Sequence, residues 1–415
     1  MEIFEKYLKQ HALHKELVHD MQPDGDLELV IVIPACNEKD YLSQCLASLQ
    51  QANPIHGSIE ILVIVNDGMN PSQDITASNQ ESVRLIKDFN NSKNPKKKIL
   101  PVYVDISNSK KPGVGLVRKI GMDEAIRRFL FLSKDGIIVC LDADSTVEKN
   151  YFQKIVEGFD AHPKHLAASI YFEHEYKWNK EKIIQYESHL RYFLAMQRRI
   201  NLPFAIQTVG SSMAVRASGY CKLGGMNIKQ AGEDFYFLQK FISNNNCFEI
   251  NDTAVYPSDR GSERVPFGTG RAVEKLNKEQ TELKTYHPDN FYVIKNFIAS
   301  VFNNYSVAQY EEAQFSHLNT ELLSFLIMKD YITMLNQIKS NTSSNEKFKM
   351  RFFQWFNAFM LMKCLHSLRD TANRDINISK ALELYFGPSL HYVGKDPEQL
   401  LNTLRIEAKQ FAEFT

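Results

Sequence analysis

Short apolar runs alternate with longer segments of helical periodicity through the first part of this chain, and this alternation constrains its fold most. The apolar runs cover residues 27–34, 59–65, 99–105 and 136–142. The helix-like segments cover residues 39–52, 73–89, 114–132 and 147–160. Each run is apolar at consecutive positions, which is typical of a strand buried on both faces. The pattern therefore predicts an α/β fold, with a mainly parallel sheet covered by helices on both sides.

The alternation weakens after about residue 160. Strand-like runs remain at 166–174 and 206–215, and helical patterns at 181–200 and 233–243. Beyond about residue 285 the strand signals fade and helical patterns dominate. Residues 1–22 have the pattern of an amphipathic helix, followed by a turn at Pro23-Asp24-Gly25. We therefore expect an N-terminal helical segment at 1–26, an α/β domain at 27–272 and an all-helical region at 273–415.

Composition excludes several classes of protein. Lys plus Arg and Asp plus Glu number 49 each in the 415 residues, so there is no overall basic charge to favour nucleic acid. The six cysteines contain no CxxC pair, which argues against a zinc or redox motif and suits a reducing compartment. The first 20 residues are charged throughout and lack the apolar core of a signal peptide. A cytoplasmic location is the expectation.

One C-terminal segment is unusually apolar. Residues 352–368 read FFQWFNAFMLMKCLHSL, with Gln354, Asn357, Lys363 and His366 among the apolar positions. These polar residues keep the segment below the roughly 18 apolar residues of a membrane span. It is interpreted as a core-facing helix, or else as a helix that lies on a membrane surface beside a lipid-linked acceptor.

Polar residues follow the apolar runs, where a parallel sheet binds its ligands. The first run ends in Pro34-Ala35-Cys36-Asn37-Glu38, the second in Asn66-Asp67-Gly68, and the fourth in Asp142-Ala143-Asp144. Asp142 and Asp144 can face the same side across the small Ala143, an arrangement that suits a hard divalent cation. The alternative is a solvated pair that caps the next helix. An Asp-Gly after a strand, as at Asp67, is by itself only a turn signal.

The order of these motifs resembles the GT-A fold of family 2 glycosyltransferases over about residues 28–270. The matching segments are VIVIPACNE (30–38), VNDG (65–68), GVGLVRKIGMDEA (113–125), LDADS (141–145), VGSSMAVR (209–216) and AGEDFYFLQK (231–240). The N-terminal helix and the residues beyond about 275 lie outside the resemblance. The family often has two acidic residues where this chain has Asn66-Asp67, so only Asp67 carries the family's role.

The resemblance implies an inverting, metal-dependent transfer of a sugar from a nucleotide donor to a hydroxyl acceptor. Asp142 and Asp144 would hold Mn²⁺ or Mg²⁺ and the donor diphosphate, the family's DxD motif. Donor binding would also use Pro34, Asn37, Glu38, Asp67 and Arg118. A UDP-sugar is the family's commonest donor, and the acceptor would be a carbohydrate or a lipid-linked molecule, with peripheral membrane association possible for the latter.

Glu233-Asp234 and a basic loop complete the candidate site. By resemblance, Asp234 is the general base and Glu233 orients it or binds the acceptor. The alternative is an acidic first turn that complements a helix dipole. In SDRGSERVPFGTGR (258–271), Arg260, Arg264 and Arg271 would bind phosphate oxygens from a glycine-hinged flap. The alternative there is a solvated loop whose arginines pair with Asp259 and Glu263.

Two rival functions remain open. A sugar-nucleotide nucleotidyltransferase also combines a nucleotide-binding sheet with carboxylate-held metal, but it needs an early glycine-rich basic loop that VIVIPACNE lacks. A non-catalytic scaffold with the same fold has no need of Asp67, Asp142, Asp144 and Asp234. The sequence argues against a dinucleotide-binding enzyme, because Arg118 stands where its third glycine would be and the motif does not follow the first strand.

Overall fold

The computed structural model describes residues 1–19, 21–90, 95–107, 109–229, 232–262, 268–387 and 396–411. These residues form two compact units. The first contains residues 1–180, 206–274 and 409–415, and the second contains residues 181–205 and 275–408. The stretch 181–205, which lies inside the predicted α/β domain, thus clusters with the C-terminal helices.

The first unit contains an eight-stranded sheet. Its strands are β1 (Leu27–Ala35), β2 (Ser58–Asn66), β3 (Lys97–Val104), β4 (Ile137–Cys140), β5 (Thr146–Val147), β6 (Ala167–Phe172), β7 (Met213–Arg216) and β8 (Cys247–Tyr256), arranged in the order β3-β2-β1-β4-β7-β6-β8-β5. The strands β3, β2, β1 and β4 are parallel to their neighbours, as the sequence predicts. The strand β7 is antiparallel to both β4 and β6, so the other half of the sheet is mixed.

Helices flank this sheet. They are α1 (Glu2–His11), α2 (Lys39–Gln51), α3 (Gln73–Asn90), α4 (Val114–Phe131), α5 (Tyr151–Ala161), α7 (Ala217–Lys222), α8 (Glu233–Ile242) and the first part of α9 (Thr269–Glu279). Every residue of β2 is buried, which requires cover on both faces of the sheet. The structure confirms the predicted α/β fold class.

The helix α4 is buried on nearly all sides although it carries several charged residues. Its charges are paired, as buried charges must be. Arg128 forms an ion pair with Glu60 of β2, and Lys119 lies 3.0 Å from Asp123 one turn along the helix. Asp123 also accepts hydrogen bonds of 2.7 Å from Tyr7 and 2.8 Å from Tyr220. These contacts fix α4 between the sheet and the N-terminal segment.

The N-terminal helix is shorter than the predicted 1–22, because α1 ends at His11. The following residues are held on α4 instead of continuing the helix. The carboxylate of Glu124 accepts hydrogen bonds from the backbone N–H groups of Leu17 and Val18, at 3.1 and 3.2 Å. Leu13, an apolar residue of the predicted amphipathic helix, is exposed. Residues 12–19 are therefore not helical despite their amphipathic pattern, and two of them bind a side chain distant in sequence.

The second unit is predominantly helical, in agreement with the predicted C-terminal region. Its helices are α6 (Lys180–Arg199, whose first residue belongs to the first unit), α10 (Pro288–Asn303), a 3₁₀ turn at Glu312–Phe315, α11 (Thr320–Ile327), α12 (Tyr331–Ser340), α13 (Asn345–Trp355), α14 (Ala358–Thr371), α15 (Ile378–Phe386) and most of α16 (Pro397–Gln410). A two-residue antiparallel pair, β9 (Lys284–Thr285) with β10 (Ile376–Asn377), adds a short ladder.

The apolar segment 352–368 is divided between two helices. The helix α13 ends at Trp355, and the side chain of Asn357 caps the start of α14 by accepting hydrogen bonds from the N–H groups of Phe359 and Met360. Apolar residues from both helices, such as Phe352 and Leu365, are fully buried. Within the part of the chain that the structure describes, no helix is long and apolar enough to cross a membrane. The segment matches the core-facing interpretation.

Candidate active site

The candidate residues lie where β2, β1 and β4 end, three adjacent parallel strands of the sheet. Because parallel strands share an orientation, their carboxyl ends meet at one edge, where α/β sheets bind ligands. Asp67 follows β2, Asn37 and Glu38 follow β1, and Asp142 and Asp144 follow β4. Pro34 is the penultimate residue of β1 and is only partly exposed. The side chains form three linked clusters.

The first cluster surrounds Asp67. Its Oδ1 accepts a 2.7 Å hydrogen bond from the amide of Asn79, and its Oδ2 accepts one from the hydroxyl of Tyr103. Burial and the neighbouring Asp67 carboxylate raise the pKa of Tyr103 to about 12, so the phenol stays protonated as a donor. Asp67 is thereby held at the end of β2 with its position defined from two sides.

Asn79, on α3, is a site residue that sequence reasoning missed. Its side chain is fully buried and joins two strand ends. The amide nitrogen donates to the carbonyl of Asn66 at 2.8 Å, and the amide oxygen accepts from the N–H of Asn37 at 2.8 Å. Asn37 has a positive φ of 56°, a backbone conformation that asparagine tolerates better than most residues. The sequence signal for this role was an asparagine inside an amphipathic helix. Asparagine is unfavourable in a helix interior unless its side chain makes hydrogen bonds outside the helix.

The second cluster joins Glu38 to Asp144 through Arg260. The Nη2 atom of Arg260 lies 2.8 Å from both carboxylate oxygens of Glu38 and 2.8 Å from Oδ2 of Asp144. Its Nε donates to the same Asp144 oxygen at 3.0 Å. The guanidinium also stacks on Tyr41, 4.0 Å from the ring centroid. Burial disfavours the charged form, yet the two carboxylates raise the pKa of Arg260 above its ordinary value.

The third cluster joins Asp142 to Glu233 through Arg118. One terminal nitrogen of Arg118 donates to Asp142 and the other to Glu233, which starts α8. Arg118 and Glu233 are almost completely buried, whereas the Asp142 side chain keeps 38% of its surface exposed. Burial disfavours charge on Arg118, but Asp142 and Glu233 raise its pKa and keep it cationic. The motif predicted from LDADS is thus held by two different arginines.

Glu233 and Asp234 form the first turn of α8. Burial raises the pKa of both carboxyl groups, and the nearby Arg118 opposes that rise. Asp234 accepts hydrogen bonds from the backbone N–H groups of Phe235, at 2.7 Å, and Gly210. A carboxylate with a raised pKa beside a buried positive charge is suited to proton transfer near neutral pH.

Two glycines permit the close packing around Arg118. A Cβ at Gly210 would lie 2.3–2.7 Å from the guanidinium of Arg118. A Cβ at Gly115, in the first turn of α4, would lie 2.7 Å from the carbonyl oxygen of Lys229 and 2.9 Å from the Cβ of Glu233. Both distances are shorter than real contacts, so a larger residue at either position would displace the Arg118 cluster.

The basic loop is only partly described. Arg264 lies outside the described residues, and Arg271 is an exposed residue in the first turn of α9. Of the arginines in this loop, the described one that reaches Glu38 and Asp144 is Arg260. Asp259, which the alternative interpretation pairs with the loop arginines, accepts hydrogen bonds from the backbone N–H groups of residues 177–179. The flap remains a prediction.

The chemistry of the donor set fits a divalent cation. Asp142 and Asp144 are hard oxygen donors at a strand end, and both keep part of their side-chain surface exposed, at 38% and 23%. Among the described residues, no group of three or more His, Cys, Asp or Glu side chains forms a closed metal site. An open two-carboxylate site is what a metal shared with a substrate diphosphate requires, because phosphate oxygens and water supply the other ligands.

Comparison with known proteins gives one family match. Residues 30–218 match the model of "Glycosyl transferase family 2". The matched segment is just under half of the chain, and it contains Asp67, Arg118, Asp142 and Asp144 but ends before Glu233 and Asp234. No curated protein matches the chain.

Several solved structures are similar to this chain, although weakly. Staphylococcus aureus TarS 1–349 in complex with UDP-GlcNAc is 14% identical, with 94% of this chain and 93% of that chain covered and a TM-score of 0.40. The mannosyltransferase PcManGT from Pyrobaculum calidifontis, in complex with GDP-Man and Mn²⁺, is 12% identical, with 97% and 89% covered and a TM-score of 0.39. The family match supports a glycosyltransferase family 2 domain in residues 30–218 of this protein.

Proposed function

We propose that this protein is an inverting, metal-dependent glycosyltransferase that moves a sugar from a nucleoside-diphosphate donor to a hydroxyl acceptor. The observation that carries the proposal is the row of acidic clusters along one edge of the sheet. Asp67, Asp142 and Asp144 follow strands β2 and β4 and lie inside the segment that matches the glycosyltransferase family. Glu233, which is next to Asp234 at the start of α8, is joined to Asp142 through Arg118. A sugar transfer needs a site for the donor nucleotide, a site for the diphosphate and a general base, and these acidic residues are assigned to those three tasks in that order.

The donor half of the site is assigned to the first two clusters. Asp67, held by Asn79 and Tyr103, is placed to accept hydrogen bonds from a nucleobase or ribose. The turn at Pro34, Asn37 and Glu38 borders the same sheet edge. Arg118 lies beside Asp142 and offers a positive charge where the diphosphate would bind. A UDP-sugar is the first donor to test, because UDP is the commonest donor nucleotide in the family.

Asp142 and Asp144 are the residues that would hold Mn²⁺ or Mg²⁺. When bound, such an ion stabilises the negative charge that develops on the leaving diphosphate. Arg118 and Arg260 lie on these same carboxylates and carry positive charge into the site. The chain itself thus supplies two guanidinium groups to the region where the leaving group becomes more anionic.

Asp234 is assigned as the general base. An inverting transfer is a single displacement, so the acceptor hydroxyl must lose its proton as it attacks. Asp234 is oriented by two backbone N–H groups, and its raised pKa makes it a stronger proton acceptor than an ordinary aspartate. Glu233, bound to Arg118, would orient Asp234 or bind the acceptor. The acceptor is proposed to be a carbohydrate or a lipid-linked molecule, and the setting cytoplasmic or at the inner face of a membrane.

Donor screening tests the proposal most directly. UDP-, GDP- and dTDP-sugars are added with and without Mn²⁺, and the melting temperature and the release of nucleoside diphosphate are measured. We expect one donor to raise the melting temperature in a metal-dependent way and to be hydrolysed slowly to nucleoside diphosphate and sugar. Formation of pyrophosphate from a sugar phosphate and a nucleoside triphosphate would instead indicate a nucleotidyltransferase. Absence of binding and turnover with every donor would indicate a scaffold.

A further inference from the structure

Arg260 interacts with the proposed metal ligand Asp144 in a way that bears on how a metal would bind. Its Nη2 atom lies 2.8 Å from three carboxylate oxygens, two from Glu38 and one from Asp144. Its Nε binds the same Asp144 oxygen at 3.0 Å. The guanidinium therefore covers the Oδ2 atom of Asp144 with two donors, and an ion approaching this oxygen must share it or displace Arg260.

The charges around Arg260 favour replacement of its guanidinium by a divalent cation. Glu38 and Asp144 together carry two negative charges, and the guanidinium supplies one positive charge, so the cluster keeps a net negative charge. A divalent cation would balance the two carboxylates better than one guanidinium does. The loss of the ion pair would be compensated, because a donor diphosphate offers Arg260 phosphate oxygens that suit its forked donors.

The backbone next to Arg260 is anchored, whereas its side chain can change conformation. Residues 257–262 follow the end of β8, and the described backbone there has no helix or strand. Asp259 is anchored by three backbone N–H groups, from Lys177, Trp178 and Asn179, at 2.8–3.0 Å. This anchor fixes the base of the segment. Arg260 comes next and reaches the carboxylates through its side chain, which can change rotamer without breaking the anchor.

We propose that Arg260 is an internal competitor for Asp144, and that it releases this carboxylate when a divalent cation binds. The inference rests on the proposed function, since it takes Asp144 as a metal ligand. In the metal-free protein, Arg260 compensates the charge of Glu38 and Asp144 and keeps both carboxylates in place. Metal affinity is then lower than two free carboxylates would give, because binding includes the cost of displacing the guanidinium.

Direct Mn²⁺ binding without nucleotide tests the competition. Free Mn²⁺ is measured by electron paramagnetic resonance for the wild type, Arg260→Gln and a control, Arg127→Gln. Arg127 is matched in exposure, at 18% against 16% for Arg260, but it contacts Glu124 and the N-terminal segment. We expect Arg260→Gln to bind Mn²⁺ about three- to thirtyfold more tightly and Arg127→Gln to match the wild type. Equal or weaker binding by Arg260→Gln overturns the proposal.

A second measurement separates displacement from a general electrostatic effect. The Nε–Hε resonance of Arg260 in ¹⁵N-labelled wild type, assigned by its absence in Arg260→Gln, is followed during a Mg²⁺ titration. Release from Asp144 should shift this resonance or broaden it by solvent exchange as Mg²⁺ saturates. A resonance unchanged at saturation overturns the proposal, because Arg260 would then keep its contact while the metal is bound.

The Asp144→Asn variant distinguishes this failure from failure of the proposed function. If the wild type binds Mn²⁺, Asp144→Asn abolishes binding and Arg260→Gln leaves it unchanged, then Asp144 is a metal ligand and only the competition is wrong. If neither the wild type nor any variant binds Mn²⁺, the metal dependence in the proposed function fails and the inference is overturned with it.

Discussion

Arg118 and Arg260 each bridge a member of one short acidic motif to a second carboxylate, but they differ in burial and in the elements that carry them. Arg118 projects from the buried helix α4, and 5% of its side chain is exposed. Arg260 lies in an irregular segment after β8, and 16% of its side chain is exposed. Arg118 joins Asp142 to Glu233, whereas Arg260 joins Asp144 to Glu38. The Asp142 side of the site is therefore fixed by packing, and the Asp144 side is held by a side chain that can leave.

This difference gives the two aspartates of the Asp142–Asp144 motif different roles. A fixed cation beside Asp142 keeps a positive charge in place without reorganisation, which is the favourable arrangement for stabilising a developing negative charge. A releasable cation beside Asp144 protects the carboxylate until a ligand replaces it. The following predictions test the two sides in turn, from the largest expected effect to the smallest.

Asp234→Asn should cause the largest loss, on the fixed side. The substitution keeps the shape of the side chain and removes its ability to accept a proton, so sugar transfer should fall by about 10²–10⁴-fold. Affinity for the nucleoside diphosphate, measured by calorimetry, should stay within a few-fold, because Asp234 is assigned to the acceptor hydroxyl. A collapse of affinity would instead place Asp234 in the donor site and make Glu233 the next candidate for the base.

The pH dependence of transfer sharpens this test. Burial raises the pKa of Asp234, and the base works only when deprotonated, so the rate should fall as the pH decreases through this raised pKa. The acidic limb of the pH–rate profile should therefore lie above the ordinary aspartate pKa of about 3.9. The residual activity of Asp234→Asn should lack this limb. A limb that persists in this variant would assign the titration to another group.

Asp142→Asn and Asp144→Asn compare the two sides directly. Each should lower donor turnover by about 10²–10³-fold, because each weakens the charge stabilisation of the leaving diphosphate. Both variants should fold, since Arg118 keeps Glu233 and Arg260 keeps Glu38 as partners. Turnover is measured as release of nucleoside diphosphate, with circular dichroism as the folding control. Full activity of the wild type in EDTA would remove the metal from the mechanism.

Gly210→Ala tests whether Arg118 is truly fixed, and it should have the smallest effect. The added Cβ would lie within 2.7 Å of the guanidinium, so Arg118 must shift or the backbone must yield. We expect the free energy of unfolding in urea to fall by about 1–3 kcal/mol. Gly25→Ala is the control, because nothing lies within 4 Å of a Cβ there. An unchanged Gly210→Ala would show that Arg118 can move, and the contrast with Arg260 would disappear.

The sequence predicted the parallel half of the sheet, whose central strands are buried on both faces. The strands β1 and β2 are apolar at consecutive positions because both faces are covered, and this leaves a clear signal. The strand β8 (Cys247–Tyr256) was not predicted, since its apolar positions are interrupted by Asn251, Asp252 and Thr253. Leu17 and Val18, which follow α1, are bound by Glu124 more than 100 residues away, and a local pattern cannot contain that information.

The candidate site divides in the same way. Asp67, Asp142 and Asp144 could be selected because strand ends are recognisable in the sequence and parallel strands bring them together. The roles of Asn79 and Arg260 could not be predicted, because they depend on which loops and helices pack over those ends. The sequence indicated which acids matter, whereas only the packing shows which residues neutralise or orient them.

The placement of α1, β8 and α8 has a consequence for dissecting this protein. A shortened chain limited to residues 30–218, the extent of the family match, would lack Tyr7 and leave the buried Lys119–Asp123 pair open to water. It would also lack β8, the strand that pairs with β6. The backbone N–H and C=O groups of β6 on that side would then be unpaired, and an exposed edge strand of this kind promotes aggregation. Glu233 would be absent as the partner of Arg118. The segment recognisable by family is therefore smaller than the segment expected to fold independently.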